Sequence, residues 1–274
     1  DGNSIGEEFS NCETLPEIRE LSASLSDIMV EVYDEFLEFL EGHMNYFLDK
    51  DSGFEISKSP DKYPLPFRPL LIAGDDITFL TDGRLGVAFA KKYLELMSQK
   101  TLGNGKDSGK QLSAAAGVAI TKTKYPFYRG YILAEELCAN AKEAAREMEG
   151  TSWLDFHVEY GGFSGSLADI RKERYTIPQG SLNFGPYLVS SEDKNEAKDN
   201  EKDISNLILG IKNFSNKDKW PRSKVKEFRN ILTLGKDASE KFLKEMKIKG
   251  REPYEFKGRD YQTLGWENSR TPYF

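Results

Sequence analysis

The chain has 274 residues, with 45 Asp+Glu against 38 Lys+Arg, for a formal net charge of −7. That length makes one large domain or two modest ones, and 17 Phe with 13 Tyr supply aromatic surface for a core, which excludes global disorder. The acidic balance argues against nucleic acid held over a broad surface and leaves open a small anionic ligand held through metal ions. No apolar run approaches the ~18 residues of a transmembrane helix, and no basic-then-apolar leader opens the chain, so no membrane association is expected. Two cysteines, Cys12 and Cys138, make neither a disulfide framework nor a four-cysteine zinc site, and a cytoplasmic location is expected.

In chain order, the opening D-G-N-S-I-G is turn-like with no strand before it, which predicts that a strand precedes Asp1 in the whole protein. Thr14 and Glu17 have capping-box spacing, and Pro16 falls where a missing N–H costs nothing. Apolar residues from Leu15 to Phe47 recur near the 3.6-residue period and predict a helix to about Leu48, broken near Ser22–Ser26. Residues 49–66 read as loop. Arg68–Ala73 and Ile77–Thr81 are short apolar runs separated by G-D-D, a β-hairpin whose strands read as fully buried. A helix over Leu85–Met97, a loop over 101–110, a buried strand over Leu112–Thr121, a helix from Pro126 to about Met148 and a strand over Trp153–Tyr160 complete this part. With a strand restored before Asp1, the order becomes β-α-β-β-α-β plus extra elements, a ferredoxin-like α+β pattern. Beyond Gly161, residues 191–203 predict a charged mobile loop, two helices are expected over 203–213 and 221–247, and 250–274 is rich in aromatics and Gly.

The sharpest chemical feature is Ala73-Gly74-Asp75-Asp76. Asp-Asp at a tip is ordinary turn chemistry. Between strands read as buried, however, an uncompensated carboxylate pair is costly unless a cation binds, and divalent magnesium or manganese with a nucleoside triphosphate is the obvious partner. Asp1 offers a further carboxylate at the end of the expected preceding strand. Gly2-Asn3-Ser4-Ile5-Gly6 offers backbone N–H groups suited to phosphates at a helix start, or else is a plain loop. His43, His157 and Cys138 read as packing residues, and Lys122 and Lys124 as solvated cations with phosphate contact as the alternative.

The run R-P-L-L-I-A-G-D-D-I-T-F-L-T-D-G-R-L-G resembles the Palm-domain signature of the large polymerase-like subunit of type III CRISPR complexes and, more distantly, GGDEF cyclases. D-G-N-S-I-G resembles that family's first-strand carboxylate segment, and L-S-A-A-A-G-V-A-I-T-K-T-K-Y-P-F, A-E-E-L-C-A-N-A-K and S-W-L-D-F-H-V resemble its later strand, helix and closing strand. W-P-R-S-K-V-K-E-F-R is similar to a helical segment of its C-terminal extension. The resemblance implies a Palm domain over residues 1–161 and a largely helical extension over 162–274. It also implies conversion of ATP into cyclic oligoadenylate, a second messenger of antiviral defence. On that likeness Asp75 and Asp76 are catalytic and, with Asp1, hold two Mg2+ or Mn2+ ions. Gly2, Asn3, Ser4, Ala73, Gly74 and Lys142 then contact the nucleotide, with Lys142 reaching the triphosphate.

The first glycine of the family's G-G-D-D is Ala73 here, where a methyl narrows the approach of a nucleotide. Neither His43 nor His157 is followed by Asp, so the HD nuclease motif of the large CRISPR subunit is absent from this sequence. One Palm implies a homodimer or a second Palm-containing subunit, within a CRISPR-type or other defence effector. The alternatives are a cyclase that uses GTP or forms a cyclic dinucleotide, and a degenerate nucleotide-binding Palm acting as a scaffold.

Overall fold

The capping box expected at Thr14 forms. In a computed structural model, which describes residues 1–54, 64–103, 109–161, 165–177, 180–191 and 200–252, Thr14 Oγ1 accepts from the Glu17 N–H at 3.4 Å. Glu17 Oε2 in turn accepts from the Thr14 N–H at 3.2 Å. The architecture is mixed α+β with small sheets. The chain divides into two compact units, Asp1–Tyr160 with Ser190–Glu192, and Gly161–Val189 with Asp193–Phe274.

In the first unit, a short helix α1 (Ile5–Ser10) is followed by α2 (Leu15–Gly42). The break expected at Ser22–Ser26 does not occur, because Leu21, Leu25 and Met29 bury at helical spacing and carry the backbone through the serines. The helix ends instead at His43, whose Nδ1 lies 2.7 Å from the Phe39 carbonyl, and a one-turn helix α3 (Met44–Leu48) follows. Strands β1 (Phe67–Ala73) and β2 (Asp76–Thr81) form the expected hairpin, with a register shift between Pro69 and Leu71. One face packs on helices. Phe67 and Phe79 lie 4.9 Å apart and surround Phe36 of α2, which also meets Phe89 and Tyr93 of α4 (Gly86–Met97).

The hairpin is not buried as its apolar sequence predicts. Leu71 is 45% exposed, Ile72 51% and Leu80 45%. The cause is topological: among the described residues the hairpin is a two-stranded sheet by itself, and its packing on helix side chains centres on Phe67 and Phe79.

The 101–110 segment holds a two-residue pairing of β3 (Thr101–Leu102) with β4 (Lys110–Gln111), where the sequence predicts only loop. Strand β5 (Ala115–Ile120) runs parallel to β6 (Thr151–Val158), joined by α5 (Phe127–Glu147) as a βαβ crossover. Helix α5 lies directly on Gly117, where an added methyl would overlap the Ala134 carbonyl oxygen and the Cys138 nitrogen. Strand β5 is only half-buried after Ala115, against the expectation of a buried strand.

The second unit begins with α6 (Leu167–Tyr175), opened by a capping box of Ser166 and Asp169, and a minimal pairing of β7 (Thr176–Ile177) with β8 (Gly180–Ser181). After β9 (Tyr187–Ser191) come α7 (Ile204–Ser215), α8 (Arg222–Leu232) and α9 (Lys236–Ile248). The single helix expected over 221–247 is therefore two. Gly235, at φ +98°, takes a backbone conformation that breaks it and lets Phe228 stack on Phe242 at 5.5 Å. These rings join Leu182, Trp220, Leu232 and Met246 in one apolar core. Most of the charged segment expected to be mobile (192–199) and of the terminal aromatic stretch (253–274) lies outside the described residues. Among the described residues, no helix is long and apolar enough to cross a membrane.

Candidate metal centre

Glycine makes the tip possible. Gly74 sits at φ +60° in the first position of a two-residue turn completed by Asp75, the pattern of a type II′ hairpin. The turn is thus Gly74-Asp75 rather than G-D-D, and Asp76 is already the first residue of β2, paired with Ala73. A methyl at Gly74 would meet nothing within 4 Å, so conformation rather than space requires glycine there.

Asp1 reaches the hairpin because residues 1–3 pair antiparallel with the entry to β5. Ala115 N–H donates to Asp1 O at 2.9 Å, the Asp1 nitrogen donates to Ala115 O at 3.1 Å, and Asn3 N–H donates to Ser113 O at 2.9 Å. Asn3 Nδ2 fastens the same segment to Ser113 Oγ at 3.3 Å and Thr151 O at 3.2 Å. Gly2 is buried, and its N–H donates to Asp75 Oδ2 at 3.2 Å. Each of Asp1, Asp75 and Asp76 thereby offers a carboxylate oxygen, all lying within 4.8 Å of one another. Asp75 is half-buried and Asp76 exposed.

A fourth charge enters from α5. Lys142 Nζ lies 2.5 Å from Asp1 Oδ2, with the lysine side chain 29% and the aspartate 35% exposed. One helical turn earlier, Cys138 Sγ donates to the Ala115 carbonyl at 3.5 Å, and burial pushes its thiol pKa up, which suits a packing residue rather than a nucleophile. Further back, the Tyr131 phenol is raised first by the Glu135 charge and also by that of Asp76. One face of α5 therefore looks along the acidic cluster.

The donor set is chemically coherent. Three carboxylate oxygens within 4.8 Å are hard ligands at a spacing that one coordination sphere of metal–oxygen bonds of about 2.0–2.6 Å can span. Like charges so close repel, and Lys142 offsets only one of them. The residues fit a Mg2+- or Mn2+-type cation.

The other expected site residues fall into two groups. Gly2 and Asn3 spend their N–H groups on Asp75 and Ser113, so these two support the cluster rather than offer donors to a phosphate. Ser4, at φ +57°, precedes α1 without a side-chain cap, and Ala73 and Gly74 are exposed beside the carboxylates. Lys122 and Lys124 are exposed, while His157 is buried 3.6 Å from Glu159. Sequence reasoning passed over Asp155, which is fully buried and accepts from Asn140 Nδ2 at 2.6 Å. Its strand is buried on both faces, so period-2 alternation carries no mark of it. No family model matches the chain, and no curated protein matches it.

Proposed function

We propose that the protein is a metal-dependent nucleotidyltransferase of the Palm type that converts ATP into a cyclic oligoadenylate-type messenger. The observation that carries this reading is the meeting of Asp1, beside the entry to β5, with Asp75 and Asp76 of the hairpin at one oxygen-rich point. When bound there, Mg2+ or Mn2+ supplies Lewis acidity toward an α-phosphate and acidifies an attacking hydroxyl. The three aspartates bind and orient the ions. Lys142, now on Asp1, is close enough to turn its ammonium to the β- and γ-phosphates of a bound triphosphate. Gly2 and Asn3 hold Asp1 in place, and the exposed edge at Ala73-Gly74 leaves room for the nucleotide.

Cyclisation needs one nucleotide as hydroxyl donor and another as triphosphate, so the reading includes a dimer that sets two such clusters face to face. The test is incubation with each NTP and Mg2+ or Mn2+, with products weighed by mass spectrometry and Asp75→Asn/Asp76→Asn as control. Cyclic adenylates from the unmutated protein alone are the expected result. Product from GTP only would transfer the assignment to a GGDEF-like cyclase, and nucleotide binding without product would leave a scaffold.

A further inference from the structure

The acidic balance of the whole chain hides one segment of opposite character. Residues 122–131 read K-T-K-Y-P-F-Y-R-G-Y: three cations, four aromatic rings and no carboxylate in ten residues, where the chain as a whole is 12% aromatic and net acidic. The segment is the connection from β5, which ends at Ile120, into the first turns of α5. Tyr125 N–H closes a turn on the Lys122 carbonyl at 2.8 Å, and Pro126 opens the helix. Helix α5 begins burying side chains only at Leu133, followed by Leu137, Ala141 and Ala145. None of its first six residues, about 9 Å of helix, is buried.

Phe127 is 57% exposed and Tyr128 59%, and Tyr131, one turn on, is exposed as well. The Phe127 and Tyr131 rings lie 6.3 Å apart and tilted by 41°, so neither stacks on the other. Beside them Arg129 Nε donates to the Tyr128 hydroxyl at 2.9 Å, and its guanidinium lies 5.8 Å from that ring's centre. Lys122, Lys124 and Arg129 are exposed, and among the described residues none of them pairs with a carboxylate. A cluster of rings in water marks an interaction surface, and unpaired cations beside it draw anions. A chain of phosphates carrying unstacked bases answers both.

We propose that residues 122–131 form a binding surface for single-stranded nucleic acid, with Lys122, Lys124 and Arg129 on its phosphates and Phe127, Tyr128 and Tyr131 as platforms for its bases. A duplex keeps its bases stacked on one another and offers the rings nothing, so the strand is single. A lipid surface also suits rings with cations. The charges of Glu135 and Asp76, however, already act on Tyr131. A flat anionic bilayer would meet them together with the segment, whereas a narrow strand can follow the segment alone. Three cations limit the site to a few nucleotides, in keeping with an acidic chain that holds no nucleic acid over a broad surface.

The test is fluorescence anisotropy of labelled oligoadenylate and oligouridylate strands, about ten nucleotides long, with the full chain in EDTA, so that metal at the carboxylate cluster plays no part. Both strands are expected to bind, with affinity falling about tenfold to twentyfold from about 50 to about 200 mM salt, the slope of roughly three single-strand phosphate contacts. Lys122→Ala with Lys124→Ala should flatten that slope by about one. Phe127→Ala with Tyr128→Ala should weaken binding about tenfold or more and leave the slope as it was. All four side chains lack a buried position, and the Tm of each variant is read alongside. No binding at the lower salt, binding only with Mg2+ or Mn2+, or equal binding by the aromatic variant would overturn the proposal. So would tighter binding of a DNA duplex of the same length, or binding of phosphatidylserine vesicles with neither strand bound. None of these readouts involves turnover of ATP, so the surface and the proposed activity stand or fall separately.

Discussion

Lys142 Nζ stands 2.5 Å from Asp1 Oδ2, so a helix and the chain's first residue share a charge beside two further carboxylates. The lysine is therefore an internal competitor for any cation the cluster attracts. Lys142→Ala is expected to tighten Mn2+ binding to the nucleotide-free protein while weakening ATP binding, by about 1.5–3 kcal/mol for a lost charged hydrogen bond. Being partly exposed, the ion pair itself should contribute no more than about 1 kcal/mol to stability. Calorimetric titration of Mn2+ and of ATP checks both signs. Weaker Mn2+ binding in the variant would refute the competition.

Asp75→Asn with Asp76→Asn removes two like charges and keeps an oxygen that can accept the Gly2 N–H. Metal-dependent nucleotide turnover should vanish, while Tm without metal holds or rises as repulsion is relieved. Turnover at the unmutated rate would dismiss the cluster as the reacting centre.

Gly2 and Gly74 flank the same carboxylates for different reasons, and alanine separates them. At Gly2 a methyl would press on Ile5 and stand 2.8 Å from Asp75 Oδ2, so Gly2→Ala should cost about 1–3 kcal/mol and weaken Mn2+ binding. At Gly74 the space is open and only φ +60° opposes a side chain, so Gly74→Ala should cost about 1–2 kcal/mol and leave Mn2+ affinity near unmutated. Denaturant melts with parallel Mn2+ titrations measure the contrast, and equal losses of affinity would contradict it.

Arg84 Nε and Nη2 each donate to the Asp82 carboxylate at 2.9 Å, its Nη1 donates to Gly53 O at 3.0 Å, and its guanidinium lies 4.0 Å from the Phe54 ring centre. The Arg84 side-chain hydrogen bond leads in holding the Asp82 carboxyl below its ordinary 3.8. A depressed pKa means that the unfolded chain takes up the proton first. The stabilisation is thus complete above 3.8 and lost as pH falls through the lower folded value. The Tm difference between the unmutated protein and Arg84→Gln should stay constant from neutral pH to about 5 and shrink below about 4. A difference that widens on acidification would show the pairing to be misjudged.

Elements whose signal is local were legible in the sequence. Thr14 and Glu17 announced α2, and Gly74 with two apolar runs announced the hairpin. The meeting of Asp1 with Asp75 and Asp76 was legible too, because the expected element order sets their segments side by side. Burial was not legible. Leu71, Ile72 and Leu80 read as core, and their exposure follows from which strands flank the hairpin, a property of topology rather than of composition. The Lys142–Asp1 pair was hidden too, since it depends on how α5 seats on Gly117. In the second unit, Gly235 was available as a helix-breaking signal inside the stretch 221–247, and the helical periodicity on either side masked it.

The hydrogen bond between Asp1 and Ala115 closes a loop of 114 residues, whereas β5, α5 and β6 form from one contiguous stretch. Closing a loop on that scale costs more chain entropy than local assembly, so the acidic cluster is expected to form in a late step of folding. Pulse-labelling during refolding should protect the β5 and β6 amides before that of Gly2, and simultaneous protection would speak against the order. Under the proposed function, a molecule that chelates is one that has finished folding, and divalent-ion uptake is expected to measure conformational completeness.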